Sequence, residues 1–240
     1  MKIDVIPFAT AVLPEYIAGK TVVVIDILRA TSTMVNALQN GAKEIIPSLT
    51  VEEAFEKAKL FPSGKVLLGG ERQAEKIPGF DLGNSYRDYP REVVEGKSII
   101  LTTSNGTKSL HACKDAKEVL IGSFLNLDAV VNHLRNCEQI VLLCSGTLGK
   151  FSIEDSMAAA AIIDLLAENN DPKLDDLGQS LLLAYRSKNG NLAELLKNGV
   201  HLNYLKSKGF GQDIEFCFQK NLFDILPVFD QKERVVRISQ

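Results

Sequence analysis

The residues whose types and spacing could do chemistry gather in two short turns and a scatter of acids. Thr21 to Leu38 reads TVVVIDILRATSTMVNAL. Asp26 closes an unbroken β-branched run, Arg29 follows it, and Thr31, Ser32 and Thr33 open a helical pattern. A guanidinium makes paired bonds to phosphate oxygens, and hydroxyls beside the free N–H groups of a helix N-terminus can complete an anion cradle. A second turn, Thr102-Thr-Ser-Asn-Gly-Thr, repeats the hydroxyls without the acid or the guanidinium. There Ser104, Asn105, Gly106 and Thr107 suit an oxyanion held by N–H and O–H donors. Each turn also has a plain reading. Asp26 could cap a helix while Arg29 pairs with a neighbouring acid, and the second turn could be a Ser/Thr turn with an N-cap.

The acids point to a cation. Glu71 ends an apolar run, Asp81 lies in a Gly/Pro-rich loop, and Glu154 and Asp155 stand at a helix start. Together with Asp26 they are expected near strand C-terminal ends, where hard oxygen ligands around a phosphate would suit Mg²⁺. Ser152-x-x-Asp155 also fits a capping box, and Asp81 fits a local Asx turn. Other motifs fail. Cys144-Ser-Gly-Thr-Leu-Gly-Lys ends in Lys150 where a thiolate phosphatase loop needs arginine, and it lacks the glycine spacing of a P-loop. Asp26-Ile-Leu has no second aspartate two residues on, and His111, His133 and His201 are isolated in helical patterns.

These residues need elements to position them. Val22 to Ile25 suits a strand buried on both faces of a parallel sheet. A repeat spaced by roughly 75 residues then orders strand, helix, strand, helix, strand twice, each copy carrying an Ala-Lys-Glu before its middle strand. The copies span about residues 22–71 and 98–146. Thr50 and Glu53 form a capping box, Asn126 suits an N-cap for Leu127 to Leu134, and Glu71 to Gly96 is a long loop with turn signals. Ser156 to Ala167 is the most apolar helix, the remainder reads as helical, and Val235 to Ile238 reads as a late strand. The expected fold is α/β, a three-layer α/β/α built from two pseudo-repeated βαβαβ units with additional C-terminal helices, forming one unit over residues 1–240. Such a duplication should turn Asp26 to Thr33 and Thr102 to Thr107 toward one cleft.

Composition narrows the partners. The 240 residues are 45% hydrophobic and 24% charged, with net charge −3 and no clustering of lysine and arginine, which argues against nucleic acid. The start Met1-Lys-Ile-Asp-Val-Ile-Pro does not read as a signal peptide, and the apolar run Met157 to Ile163 is too short for a membrane span. Four dispersed cysteines without a C-x-x-C pair read as structural thiols of a cytoplasmic protein. A homo-oligomer is left open.

VVVIDILRATSTMVNAL, GGERQAEKIPGFDLGNS, TTSNGTKSL and FSIEDSMAAAAII, in this order, resemble the 2-phosphosulfolactate phosphatase family. Gly209-Phe-Gly-Gln-Asp-Ile-Glu-Phe-Cys is similar to its C-terminal part, and Gln73-Ala-Glu-Lys and Asn221 depart from its pattern. The resemblance implies Mg²⁺-dependent hydrolysis of the phosphate ester of sulfolactate to 3-sulfolactate and phosphate, a step toward coenzyme M in methanogens. The substrate implied carries phosphate, sulfonate and carboxylate, in keeping with two oxyanion-suited turns. The expected roles are Asp26 and Arg29 in catalysis, and metal held by some of Asp26, Glu71, Asp81, Glu154 and Asp155. Thr31 to Thr33, Arg72 and Ser104 to Thr107 would hold the anionic groups. The rivals are a phosphatase of another small phosphorylated hydroxy acid and a non-catalytic binder of small anions.

Overall fold

A computed structural model describes residues 1–168 and 171–239. In chain order the elements are β1 (Lys2–Ile6), α1 (Pro14–Ile17), β2 (Thr21–Ile25), α2 (Ala30–Gln39), β3 (Glu44–Pro47), α3 (Val51–Ala58), β4 (Val66–Arg72) and β5 (Glu75–Lys76). There follow α4 (Arg91–Val94), β6 (Ser98–Thr102), α5 (Gly106–Ala112), β7 (Glu118–Gly122), α6 (Leu127–Leu134), β8 (Gln139–Cys144), α7 (Ile153–Ala167) and β9 (Lys173–Leu174). The chain ends with α8 (Asp176–Arg186), α9 (Leu192–Leu196), α10 (Val200–Ser207), α11 (Gly211–Cys217), β10 (Pro227–Asp230) and β11 (Val235–Ile238). No helix among the described residues is long and apolar enough to cross a membrane.

All the strands join one sheet, in the order β5-β4-β6-β3-β11-β10-β7-β2-β8-β1-β9. The strands of the two expected units do not stay together. β2 lies between β7 and β8, while β6 lies between β3 and β4, all parallel. Each unit's first strand is therefore flanked by the other unit's second and third. The C-terminal hairpin β10–β11 joins the two half-sheets, with β10 antiparallel to β7 and β11 antiparallel to β3. The expectation of a helical C-terminal remainder missed β10. Asn126 does not cap α6 with its side chain, because its amide bonds Ser123 N, Ile121 O and Ile225 O instead. Thr50 does cap α3, accepting from Glu53 N at 3.1 Å.

This topology makes the sheet curl. The three antiparallel junctions turn the half-sheets to run in opposite directions. In a flat sheet, β2 and β6, five strand spacings apart, would sit about 24 Å from each other with their C-terminal ends at opposite edges. Those ends nevertheless meet, since a Cβ built on Gly106, after β6, would stand 2.6 Å from Ala30 Cβ, after β2. Only a sheet wrapped around α2 and α5 permits that contact.

Burial follows the same plan. Val22 and Val24 of β2 share an apolar cluster with Met34 and Leu38 of α2, Leu110 of α5, and Ile99 and Leu101 of β6, so both half-sheets feed one interior. Val23 and Ile25 face the other side, where Val130 and Leu134 of α6 and the apolar α7 cover the sheet. The second half-sheet is covered outside by Ala54 of α3, which packs with Leu68 and Ile100. The β2 run is hydrophobic without alternation because both faces are buried.

Candidate active site

Asp26 is the anion that the helix N-termini receive. It ends β2, is 6% exposed, and accepts from Ala30 N at 3.2 Å at the start of α2 and from Gly106 N at the start of α5. Gly106 has to be glycine: a Cβ there would approach Asp26 Oδ2 to 2.8 Å as well as Ala30. The two turns expected to share a cleft thus meet directly, and a protein carboxylate fills the place where an anion was expected.

Three further acids close around it. Glu71, near the end of β4, accepts from Ala74 N through Oε2 and from Ser104 N through Oε1, both at 2.9 Å. Asp155, in the first turn of α7, accepts from Ile27 N at 2.8 Å and Gly146 N at 3.1 Å, tying the turn after β2 to the loop after β8. Asp155 therefore does not serve a capping box, and Ser152 makes no side-chain cap. Glu154 is buried beside them and makes no hydrogen bond to the described residues. Burial, then the charges of Glu71 and Glu154, push the Asp26 carboxyl up to about 7 against the pull of its two N–H donors. Burial and the charges of Asp26 and Glu154 push Asp155 up as well. Burying several carboxylates together is costly unless a proton or cation joins them.

Arg29 supplies the positive charge. Its guanidinium is 3% exposed, lies 4.0 Å from the Phe210 ring centroid, and donates from Nη2 to Ala74 O at 3.1 Å. Nη1 stands 3.9 Å from Asp213 Oδ1, too far for a hydrogen bond, and has no acceptor among the described residues. Burial lowers the guanidinium's affinity for its proton, and the charge of Asp213 opposes that effect. Asp213 also accepts from Ser85 Oγ and Arg87 Nη2. Phe210 and Asp213 went unmarked in the sequence; their only signal was the stretch from Gly209 to Cys217, which assigned them no role.

The β4–β5 turn is held by this machinery. Gln73 and Ala74 have φ of +54° and +68°, as a two-residue hairpin loop requires, although neither is glycine. Glu71 accepts from Ala74 N, Arg29 donates to Ala74 O, and Tyr204 Oη donates to Gln73 O at 2.9 Å. Non-glycine residues persist in this region where their surroundings over-determine them.

Several expected ligands are engaged elsewhere. Thr31 Oγ1 accepts from Asp26 N and donates to Asp26 O, closing the strand-to-helix turn. Ser32 Oγ donates to Ile27 O and meets Ser123 Oγ at 2.9 Å, while Thr33 Oγ1 donates to Asn84 O. All three are almost fully buried, so these hydroxyls brace the turn rather than line a cradle. Thr107, in the first turn of α5, exchanges bonds with Thr103 just after β6, and Asn105 Oδ1 accepts from Leu148 N, anchoring the loop after β8. Ser104 contributes its N–H to Glu71, and half-buried Arg72 donates to Glu71 O and Thr102 Oγ1. Asp81 lies outside the cluster: it is exposed, and its carboxylate accepts from Leu68 N at 2.8 Å.

Among the described residues, no three of these carboxylates bring oxygens within 4.8 Å of one another. An all-protein cage is therefore not built here. A Mg²⁺ ion normally keeps waters and takes one or two carboxylates together with substrate phosphate, and the set fits that mode.

A sequence model of the 2-phosphosulpholactate phosphatase family matches residues 9–232. A protein of Clostridium perfringens (strain SM101 / Type A) named as a probable 2-phosphosulfolactate phosphatase is 47% identical over 97% of this chain and 95% of its own length. Proteins of the same name from Caldanaerobacter subterraneus subsp. tengcongensis and Thermotoga petrophila are 45% and 44% identical, covering 92% and 87% of this chain and 91% and 88% of their own.

Proposed function

The chain belongs to the 2-phosphosulpholactate phosphatase family, and on that premise we propose that it hydrolyses 2-phospho-3-sulfolactate to 3-sulfolactate and phosphate with Mg²⁺ bound. One observation carries the metal. The N–H groups that a bare anion would need are held by Asp26, Glu71 and Asp155, leaving four buried carboxylates against one buried guanidinium. A substrate with three anionic groups entering that field needs a cation.

Glu154, whose side chain accepts no hydrogen bond among the described residues, would hold the ion with Asp26 beside it, while Glu71 and Asp155 each have both oxygens engaged by backbone N–H groups. Bound Mg²⁺ would neutralise phosphoryl oxygens and lower the pKa of a coordinated water. The protein's part is positioning and charge stabilisation, which is most of what phosphoryl transfer asks. Arg29 would offer its unused Nη1–H to a phosphoryl oxygen, held in aim by Ala74 O and Phe210. Glu71 and Asp155 would keep the two turns and the loop after β8 in register around the reacting phosphorus. Arg72, fixed beside Glu71, would meet the sulfonate or carboxylate that does not react. A water oxygen would bond to phosphorus as the ester P–O bond breaks, and the leaving oxygen would take a proton to become the hydroxyl of 3-sulfolactate.

A non-catalytic anion binder would need the Arg29 donor but none of the four buried acids around it. The test is phosphate release from 2-phospho-3-sulfolactate, from other phosphorylated hydroxy acids and from an aryl phosphate, after chelation and after Mg²⁺ is restored. The expected result is loss of turnover with chelator, recovery with Mg²⁺, and a preference for the sulfonated substrate. Full activity in excess chelator would overturn the metal, and no turnover of any ester would favour the binder.

A further inference from the structure

A cluster of metal-ligating side chain types lies away from the proposed reaction centre. Glu118 is the first residue of β7, His133 lies in the last turn of α6, and Cys137 follows His133 by one helical turn. One ligand atom from each comes within 4.8 Å of the others, and all three side chains are half-buried. Among the described residues no other group of three or more has this property. His133 Nε2 stands 2.8 Å from Glu118 Oε2, while the Cys137 thiol leans on His133 O at 3.8 Å.

The geometry points to a site for Zn²⁺ or a similar borderline-soft divalent cation, held by Glu118, His133 and Cys137 with water completing the shell. Thiolate and imidazole select such metals over Mg²⁺, which prefers an all-oxygen shell. Tetrahedral zinc with bonds of 2.0–2.3 Å places its ligand atoms about 3.3–3.8 Å apart, so the three need move only slightly. Binding forms Zn–O, Zn–N and Zn–S bonds and releases to solvent the thiol proton and any proton held between His133 and Glu118. The site would clasp the start of β7 to the end of α6. It stands at the opposite end of β7 from the turn at Ser123 that touches Ser32, on the order of 13 Å along the strand, so it is no part of the phosphate chemistry. The other thiols do not compete. Cys113, Cys144 and Cys217 are buried, and burial raises the pKa of each.

The experiment uses the full chain, stripped of metal and held in excess Mg²⁺ to fill oxygen sites, then titrated with Co²⁺ and afterwards with Zn²⁺. We expect one equivalent of Co²⁺ to give a thiolate-to-cobalt charge-transfer band, and Zn²⁺ to remove it. Cys137→Ser should abolish the band, and His133→Ala should weaken Zn²⁺ binding at least tenfold. Both should leave phosphate-ester hydrolysis unchanged. Zn²⁺ should also slow alkylation of Cys137 in the unmodified protein at least tenfold, a readout that needs no variant to fold. Absence of the band, its survival in Cys137→Ser, or alkylation unaffected by Zn²⁺ would overturn the site.

Discussion

Arg29 shows how one side chain can be fixed and still have an unused donor. Its guanidinium lies over the Phe210 ring with Nη2 committed to Ala74 O, and Nη1 is left unbonded in the interior. Arg29→Lys keeps the charge and loses the planar fork, so turnover should fall on the order of a hundredfold, the scale of losing one preorganised donor, with the circular dichroism spectrum retained. Kinetics near those of the unmodified protein would remove Arg29 from the reaction. Asp26 carries a pH signature. Its folded value of about 7 lies above the ordinary 3.8, so between those values the native protein holds a proton that the unfolded chain has lost. Its contribution to stability is therefore full below about pH 4 and lost as pH rises through about 7. The metal-free protein should melt at lower temperature at pH 8 than at pH 5. Asp26→Asn should flatten that slope while abolishing activity, and an unchanged slope would show that other groups set it. At this scale Asp26 and Arg29 stood out in the sequence beside a plain reading as helix cap and acid partner, and part of that plain reading holds: Asp26 accepts from Ala30 N and Arg29 lies 3.9 Å from Asp213. The hydroxyls misled, since Thr31 and Ser32 serve a strand-to-helix turn as readily as a ligand. Asp155 was ambiguous because Ser-x-x-Asp is also a capping pattern, and only its long-range bonds to Ile27 and Gly146 decide the matter.

Helices α2 and α5 form the joint between the two half-sheets, and the joint is tight. Gly106→Ala would press a methyl group against Ala30 Cβ and Asp26 Oδ2, both anchored to backbone. Overpacking of this kind costs about 1–3 kcal/mol. For a chain of this length that lowers the melting temperature by on the order of 2–4 °C for each kcal/mol. The same displacement parts the turns that share Asp26, so the loss of kcat should exceed what the loss of stability accounts for. Normal turnover in a destabilised protein would separate the helix joint from the reaction. Most of these elements were readable: buried β-branched runs announce β2, β6, β7 and β8, and Thr50 announces α3. Their pairing was not. β2 and β6 carry the same unbroken apolar pattern, and nothing in that pattern tells a strand which partners it will lie between.

Across the whole molecule, the C-terminal hairpin fills a gap that would otherwise present two bare strand edges. β10 covers β7 and β11 covers β3, both at the heart of the sheet. A chain ending before Pro227 should expose those edges and associate, as unpaired strands do. Size-exclusion chromatography of the truncated and full chains would check this, and a truncated chain that runs as the full one does would mean that the half-sheets close without the hairpin. The hairpin was half legible: Val235 to Ile238 read as a strand, while its partner Pro227 to Asp230 follows a stretch that reads as helix. The exchange of strands also bears on how a cell makes this protein. A ribosome delivers β7 and β8 some hundred residues after β2, and the hairpin about two hundred residues after it. Until then neither half has its full complement of neighbours, and the longest-range pairings, which close slowest, come last. The nascent chain must wait for β10 and β11 before its two half-sheets can join, so a chain cut short of that hairpin would lack the pairings that close the sheet.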